Sequence, residues 1–190
     1  MAYTTLAQMK LDLDIDSDDD DVLLSKLIDR AQVAINNYTG RVFEAVTQTR
    51  YYDSSAVDGR TLYLDRDLTG APTTLTNGDS SATVILAADY WLIPRNDGPP
   101  YYGIQLKSDT TTSWQFDTDC WVSVAASWGY STTAPADIEQ ACIRWAAYMY
   151  RQKDASVFDT TAIPDQGVIL SPQGIPRDVR LMLDPYVRRS

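Results

Sequence analysis

Residues 17–43 read SDDDDVLLSKLIDRAQVAINNYTGRVF, and this stretch decides the fold of the chain. Its apolar side chains recur at steps of three and four residues and so share one helical face: Leu24, Ile28, Ala31, Ile35 and Tyr38. Ser17 is a suitable N-cap, the aspartates after it suit the positive end of the helix dipole, and Gly40 is a suitable left-handed stop. The pattern predicts a long amphipathic helix that must pack against a second element.

Three further helices are predicted outside this stretch. Thr4 or Thr5 can cap a short helix that ends in the acidic linker, residues 12–21. Pro135 suits the first turn of a second long helix. The apolar residues of that helix form one broad stripe: Ile138, Ala141, Cys142, Trp145, Tyr148 and Met149. Pro176 opens a last short helix, which Pro185 ends or kinks. We expect the helix after Pro135 to be the packing partner of the first long helix.

Residues 46–130 have a different composition, with many Thr, Val, Tyr and Trp residues and turn signals such as Asn77-Gly78. Six short strands are predicted in this region: Thr47–Asp53, Thr61–Asp65, Thr83–Leu86, Tyr90–Pro94, Ile104–Lys107 and Trp121–Trp128. Short strands joined by tight turns favour a small antiparallel sheet or barrel. The sequence does not say which face of each strand is buried.

Tryptophan is concentrated in the same region. Four of the five tryptophans lie in it: Trp91, Trp114, Trp121 and Trp128. Exposed rings could form a platform on which sugars stack, whereas buried rings would fill the core of a thin β unit, which is the simpler interpretation. The first interpretation leaves a carbohydrate- or receptor-binding module open as the alternative function.

The chain contains no histidine, which excludes Ser-His-Asp and Cys-His catalytic groups and every His-ligated metal site. It also has no phosphate-binding loop of the G-x-x-x-x-G-K-S/T or G-x-G-x-x-G type. A carboxylate-based hydrolase is the remaining enzymatic alternative, but no spacing selects a pair among the 26 acidic residues. We therefore predict no enzyme activity, no catalytic residue and no cofactor.

The acidic linker resembles a metal-binding loop only in part. Asp12, Asp14 and Asp16 imitate the start of a calcium loop. Ser17 and Leu23, however, stand where that loop needs a glycine and a bidentate glutamate. We therefore predict a charged helix start and no metal site.

Two cysteines are too few for a disulfide framework, and they form no C-x-x-C pair. Cys120 and Cys142 are predicted to be free, buried thiols. No apolar run approaches the roughly 18 residues that a membrane span needs, and the N-terminal sequence lacks the pattern of a secretory signal. We expect the protein to stay in the cell that makes it.

The net charge at pH 7 is −10. It is spread over residues 1–130, whereas residues 131–190 carry equal numbers of basic and acidic side chains. An acidic chain repels phosphate backbones, so sequence-specific nucleic-acid binding is not expected. Nucleic acid could still pass close to such a surface without adhering to it.

Residues 154–175 show no periodicity, and a segment of this length in a small domain is typically a functional arm or a mobile loop. It is nevertheless apolar, with Phe158, Ile163, Val168, Ile169 and Leu170. We therefore expect this arm to need a partner surface.

Three stretches, in the same order along the chain, resemble the head-tail connector (adaptor or head-completion) proteins of tailed phages. The residues that carry the resemblance to the second helix of that family are Leu27-Ile28, Ala31, Ile35, Tyr38-Thr39-Gly40-Arg41 and Phe43. Those that resemble the start of its next long helix are Trp128-Gly129-Tyr130, Pro135, Asp137-Ile138, Ala141 and Trp145. Those that resemble its C-terminal helix and tail are Ile175-Pro176, Val179, Leu183 and Pro185-Tyr186.

The resemblance implies an α+β fold, namely a helical bundle of the phage connector type with an inserted small antiparallel β-subdomain. The helical core would comprise residues 1–45 and 131–190, and the insertion residues 46–130. The resemblance further implies a structural virion protein, made in the cytoplasm of a bacterial host. Such proteins form a ring, commonly of twelve copies, under the portal protein. They extend the DNA channel and offer a docking surface to the next neck or tail protein, a stopper or tail terminator.

Residues of the arm and of the C-terminal segment are the candidates for binding the portal or a neighbouring subunit. They are Phe158, Ile163, Val168, Ile169, Leu170, Arg177, Arg180, Tyr186, Arg188 and Arg189. The arginines could meet an acidic portal surface, or they could simply solvate the end of the chain. Sequence alone leaves both interpretations open.

Overall fold

A computed structural model of the protein describes residues 2–155, 161–163, 168–170 and 174–188. The chain divides into two units, one formed by Met1–Gly40 and Ala134–Ser190 and the other by Arg41–Thr133. The first contains helices and the second a sheet. The domain boundaries that the resemblance implies, at residues 45 and 131, stay a prediction.

The helical unit contains four α-helices in its described residues. They are α1, Leu6–Leu13; α2, Asp21–Thr39; α3, Ala136–Ala155; and α4, Arg177–Leu183. A 3-10 turn, Asp184–Tyr186, follows α4 and contains Pro185. Every helix expected from the sequence is therefore present, and none of those described is long and apolar enough to cross a membrane.

The long helix α2 begins later than its sequence predicts. Its N-cap is Asp20, whose side chain makes no capping hydrogen bond, so the expected cap at Ser17 is wrong. The Ser17 hydroxyl instead bonds the Asp19 carboxylate at 2.5 Å. The Lys10 ammonium group of α1 lies 2.7 Å from the Asp18 carboxylate and 2.9 Å from the Asp21 carboxylate. These two ion pairs hold the start of α2 against α1.

α2 packs against α3 through the faces that the sequence predicts. The buried residues of α2 are Leu24, Leu27, Ile28, Ala31, Ile35 and Thr39. Those of α3 are Ile138, Ala141, Cys142, Ile143, Trp145, Ala146 and Ala147. The Cys142 thiol approaches the Ile28 carbonyl oxygen at 3.9 Å. Burial, together with the charges of Asp29 and Glu139, raises the pKa of this thiol to about 12.

The segment expected to be irregular contains regular structure. α3 extends to Ala155, and two short strands, β8 (Thr161–Ile163) and β9 (Val168–Leu170), pair in antiparallel fashion. The expectation of an aperiodic arm is therefore wrong for these residues. Strands of three residues are too short to leave a period in the sequence.

The second unit is built on a seven-stranded sheet. Its strands are β1, Val46–Tyr52; β2, Val57–Asp58; β3, Thr61–Leu68; β4, Thr74–Thr76; β5, Tyr90–Ile93; β6, Tyr101–Leu106; and β7, Val122–Trp128. The order across the sheet is β1-β7-β3-β6-β5, with β2 beside β3 and β4 beside β7. All these pairs are antiparallel. The described chain is thus a mixture of helices and antiparallel sheet, as predicted, whereas its description as a connector-type helical bundle is not confirmed.

One of the six expected strands is wrong. Residues Thr83–Leu86 form no strand but a single bridge from Val84 to Thr76, and Val84 is 54% exposed. The sequence also missed β2 and β4, which have two and three residues. Elements this short are defined by their pairing partners and not by their own pattern.

The core of the β unit lies on one face of the sheet. β7 alternates strictly, with Val122, Val124, Ala126 and Trp128 buried. Trp128 donates its indole N–H to the Gln48 carbonyl at 2.9 Å. The half-buried Trp114 donates likewise to the Arg60 carbonyl at 3.0 Å. These two rings fill the core as expected, but Trp91 and Trp121 are 41% and 51% exposed, so the core interpretation is wrong for them.

Gly40 ends α2 in the left-handed conformation that the sequence predicts, with φ +67°. Its N–H donates to the Asn36 carbonyl at 2.9 Å. A β-branched residue is strained there, so Gly40→Val should lower the free energy of unfolding by at least ~1 kcal/mol. Gly70 has open space around it and no positive φ, so the control Gly70→Val should stay within about 0.5 kcal/mol of the wild type. Equal urea unfolding midpoints for the two variants would contradict the assignment.

Trp145 is 6% exposed on the buried face of α3. Removing its ring leaves a large cavity, so Trp145→Ala should lower the free energy of unfolding by roughly 3 to 5 kcal/mol. Trp121→Ala removes the same ring from an exposed site and should cost less than about 1 kcal/mol. Chemical denaturation of both variants compares them directly. An unchanged stability of Trp145→Ala would mean that this face carries little of the core.

Both cysteines are free thiols, Cys142 buried and Cys120 only partly so. The prediction that both are buried is therefore wrong for Cys120. In the native protein we expect a thiol reagent to modify Cys120 and to spare Cys142, because the buried thiol has a raised pKa. After unfolding without reductant, two thiols should react. A count of zero would show that the cysteines are oxidised.

Candidate interaction surface

α4 turns an apolar face inward and a charged face outward. Val179 and Leu183 are fully buried, and the helix lies against α3. On the opposite face Arg177 and Arg180 are exposed, and Leu181 beside them is 66% exposed. The result is a short surface that combines two cations with one large aliphatic side chain.

Ion pairs hold α4 in place on α3. Arg144 of α3 binds the Asp178 carboxylate at 2.9 Å and thereby keeps the pKa of Asp178 below its ordinary value. Both side chains are about half exposed, so the pair contributes at most about 1 kcal/mol. Arg180 lies 3.9 Å from Asp184, one turn further along the chain. These pairs orient a helix that the buried Val179 and Leu183 stabilise.

The turn after α4 is tied to the ends of α2 and α3. The Tyr38 hydroxyl donates to the Asp184 carboxylate, and this hydrogen bond raises the pKa of Tyr38. The Tyr186 hydroxyl donates to Asp137 at 3.3 Å. The backbone N–H of Arg188 donates to the Thr39 carbonyl at 2.8 Å. Residues 184–188 are therefore anchored to the helical unit.

A groove of about 410 Å³ lies where α4 begins. Its lining residues come from α1, α3 and the start of α4: Asp12, Gln140, Arg144, Ala147, Tyr148, Arg151, Pro176 and Asp178. The lining mixes both charges with amide and phenol groups, which suits a polar peptide better than an apolar ligand. In the described residues no group of acidic or sulfur side chains is arranged to hold a metal ion.

The structure separates the predicted binding residues into three sets. Arg177 and Arg180 share the exposed face of α4. Tyr186 and Arg188 anchor the tail and are half-buried. Four others lie in the β8–β9 pair: Ile163, Val168, Ile169 and Leu170. Phe158 and Arg189 lie outside the described residues.

The β unit carries a surface that sequence reasoning missed. A groove of about 500 Å³ runs beside β1, between the exposed side chains of Tyr51 and Trp121. At its base Asp65 accepts hydrogen bonds from Arg50 and Tyr52. Burial alone would raise the pKa of Asp65, but these bonds hold it below its ordinary value. Alternation of side chains along β1 could have suggested an exposed face of this strand. It could not have shown on which side of the sheet that face lies.

Comparison with known proteins gives a partial sequence match and a broad structural one. Residues 3–73 match the model of a family described as the phage gp6-like head-tail connector protein. None of the curated proteins compared with the sequence is significantly similar to it. None of these comparisons supports the carbohydrate-binding alternative.

Several solved structures share the fold. A chain in the neck of an empty gene transfer agent (GTA) particle, computed with C6 symmetry, gives a TM-score of 0.66 at 15% identity, over 97% of this chain and 89% of that chain. A chain in the neck of a native particle, computed with C12 symmetry, gives 0.63 at 16% identity, over 97% and 88%. The family match therefore confirms the resemblance predicted from the sequence: residues 3–73 are similar to the phage gp6-like head-tail connector proteins.

Proposed function

We propose that the chain is a structural protein of the virion neck, which forms a ring under the portal, extends the DNA channel and joins the head to the tail. The match of residues 3–73 to the head-tail connector family carries this proposal. The chain shares its fold with chains from particle necks that were computed with C6 and C12 symmetry. A ring of twelve copies is the assembly that corresponds to C12 symmetry. Rings of identical subunits close through heterologous contacts between different surfaces of neighbouring copies.

The charge of the chain supports a role at a DNA channel. Its net charge of −10 repels the phosphate backbone, so that DNA can slide past without being held. A wall that bound phosphate strongly would impede DNA passage. We therefore propose that DNA passes through the ring without sequence-specific binding.

The finer architecture is part of the same proposal. We assign residues 1–45 and 131–190 to a connector-type helical core and residues 46–130 to an inserted β-subdomain. α2 and α3 pack together although the β sheet separates them in the sequence, which supports an insertion. The family match supports a structural rather than an enzymatic role, with no cofactor.

Contacts to other neck components are assigned to the C-terminal segment. The exposed face of α4 presents Arg177, Arg180 and Leu181, a combination of cations and an aliphatic anchor that suits an acidic protein surface. The β8–β9 pair precedes α4 in the sequence and contains four of the five apolar residues named for the arm: Ile163, Val168, Ile169 and Leu170. We propose that these elements contact the portal or a neighbouring subunit, and that another surface receives a stopper or tail terminator.

Electron microscopy of particle necks tests the proposal. We expect a ring of twelve copies at the portal and, in particles made without the protein, filled heads without tails. Arg177→Glu with Arg180→Glu reverses the charge of the α4 face without touching a buried side chain. This double variant should fold normally by circular dichroism, yet enter particles at least about tenfold less efficiently.

A matched control separates the effect of losing the α4 contact from the effect of changing the net charge. Lys26 and Arg30 are exposed on α2, so Lys26→Glu with Arg30→Glu makes the same change in net charge elsewhere. Normal incorporation of the control and loss of the α4 variant would support the assigned surface. Equal incorporation of both would remove α4 from the contact, and absence of the protein from necks would overturn the function itself.

A further inference from the structure

An exposed tryptophan on the outer face of the sheet lies between two cations. Trp91 of β5 is 41% exposed. The Arg95 guanidinium carbon and the Lys107 ammonium nitrogen each lie 4.0 Å from the centroid of its ring. The two charges are therefore at most twice that distance apart. We name these three residues the basic aromatic site.

The register of the sheet explains why these residues meet. Trp91 pairs with Gln105 of β6, and Lys107 follows Gln105 by two residues, so both side chains leave the same face of the sheet. Arg95 follows two residues after the end of β5. The cluster thus depends on a sheet that other residues hold together.

Neither cation of this site forms an ion pair with a carboxylate that the structure describes. Within the described part of the chain, ion pairs with aspartates are formed by other cations: Lys10, Arg41, Arg50, Arg144 and Arg180. No described carboxylate pairs with Arg95 or Lys107. Each cation–π contact at an exposed site contributes only about 0.5–1 kcal/mol. The two charges therefore stay available to an anionic partner, in a chain that is otherwise acidic.

A shallow groove adjoins the basic aromatic site. It has a volume of about 280 Å³ and is lined by small and aromatic residues together with Arg95: Ala71, Ala87, Tyr90, Trp91, Leu92, Arg95 and Tyr101. Leu86, next to this lining, is 62% exposed. A partner that fits here combines carboxylates with an apolar side chain.

The chain itself carries such a segment. The acidic turn, residues 12–21, runs from the last residues of α1 to the first residue of α2. Lys10 forms ion pairs with Asp18 and Asp21 of its aspartates. Asp14 and Asp16 are exposed, and no described cation forms an ion pair with them. At the two ends of the turn Leu11 is 76% exposed and Val22 is 70% exposed.

The acidic turn also has a defined shape. Asp14 adopts the left-handed conformation, with φ 57°, and its N–H caps α1. The turn therefore presents its carboxylates and its flanking aliphatic side chains from a folded backbone, which lowers the entropy lost on binding.

We propose that the acidic turn of one copy docks on the basic aromatic site of the next copy. This proposal rests on the proposed ring and deepens it by naming a heterologous contact between neighbours. Opposite charges steer the two surfaces together, and the exposed aliphatic and aromatic groups are buried as they meet. The contact also offsets locally the repulsion between copies that each carry a net charge of −10.

Charge reversal on each surface tests the contact. Variant A carries Arg95→Glu and Lys107→Glu, and variant B carries Asp14→Lys and Asp16→Lys. When either variant is alone, its acidic turn and its basic aromatic site carry charges of the same sign and repel each other. Ring formation should therefore fall at least about tenfold. In an equal mixture, A and B can alternate around the ring, because every contact then joins opposite charges. The mixture should assemble as the wild type does.

Controls with the same charge changes lie elsewhere on the exposed surface. Arg66→Glu with Lys26→Glu matches variant A, and Asp29→Lys with Asp58→Lys matches variant B. Both controls should form rings. Circular dichroism of every variant checks folding, and electron microscopy with sedimentation measures assembly. Where purified wild-type protein stays monomeric, incorporation into particles is measured in cells that express A, B or both.

The outcomes separate this inference from the proposed function. Normal assembly of A alone or B alone, or a mixture that fails while the wild type forms rings, overturns the docking of the acidic turn and leaves the ring standing. A wild type that neither forms rings nor enters particles overturns the proposed function. Rescue by mixing, with both controls normal, supports the contact, because a merely structural defect in either variant would persist in the mixture.

Discussion

The packing of α2 against α3 is the interaction on which the helical unit depends. The Cys142 thiol meets the Ile28 carbonyl across a separation of 114 residues, and closing a loop of that length costs about 4 kcal/mol of chain entropy. Burial of the two apolar faces must exceed this cost. Small residues such as Ala31 and Ala141, both fully buried, let the helices approach closely. α1 and α4 pack against this pair.

Much of this helical unit could be predicted because its signals are local and repeated. The stripe from Leu24 to Ile35 shows its period over several turns, and Gly40 marks the end of α2 by its conformational freedom. The start of α2 could not be predicted as well, since Ser17 and the aspartates after it are all acceptable caps. Tertiary contacts that no local pattern encodes hold this turn, from Lys10 to Asp18 and Asp21 and from Tyr150 to Asp20.

The β unit and the interaction surfaces show where sequence reasoning ends. β7 could be recognised from its alternation. Which face of a strand is buried depends on the strands and loops packed around it, so the exposure of Trp91 in β5 could not be predicted. The clustering of Arg95 and Lys107 on that ring follows from the register of β5 with β6, which no local pattern encodes. Charge alone suggested Arg177 and Arg180 as binding residues, and both are exposed on α4, whereas Tyr186 and Arg188 contribute to anchoring the tail.

The two edges of the sheet have a consequence for the proposed ring of many copies. β5, at one edge, has only four residues and is followed by Pro94, which has no N–H to offer a further strand. β1, at the other edge, carries Arg50 near its middle, a charge that discourages edge-to-edge pairing. Strand addition has no natural end and would convert crowded subunits into fibres, so both edges favour an assembly that closes on itself.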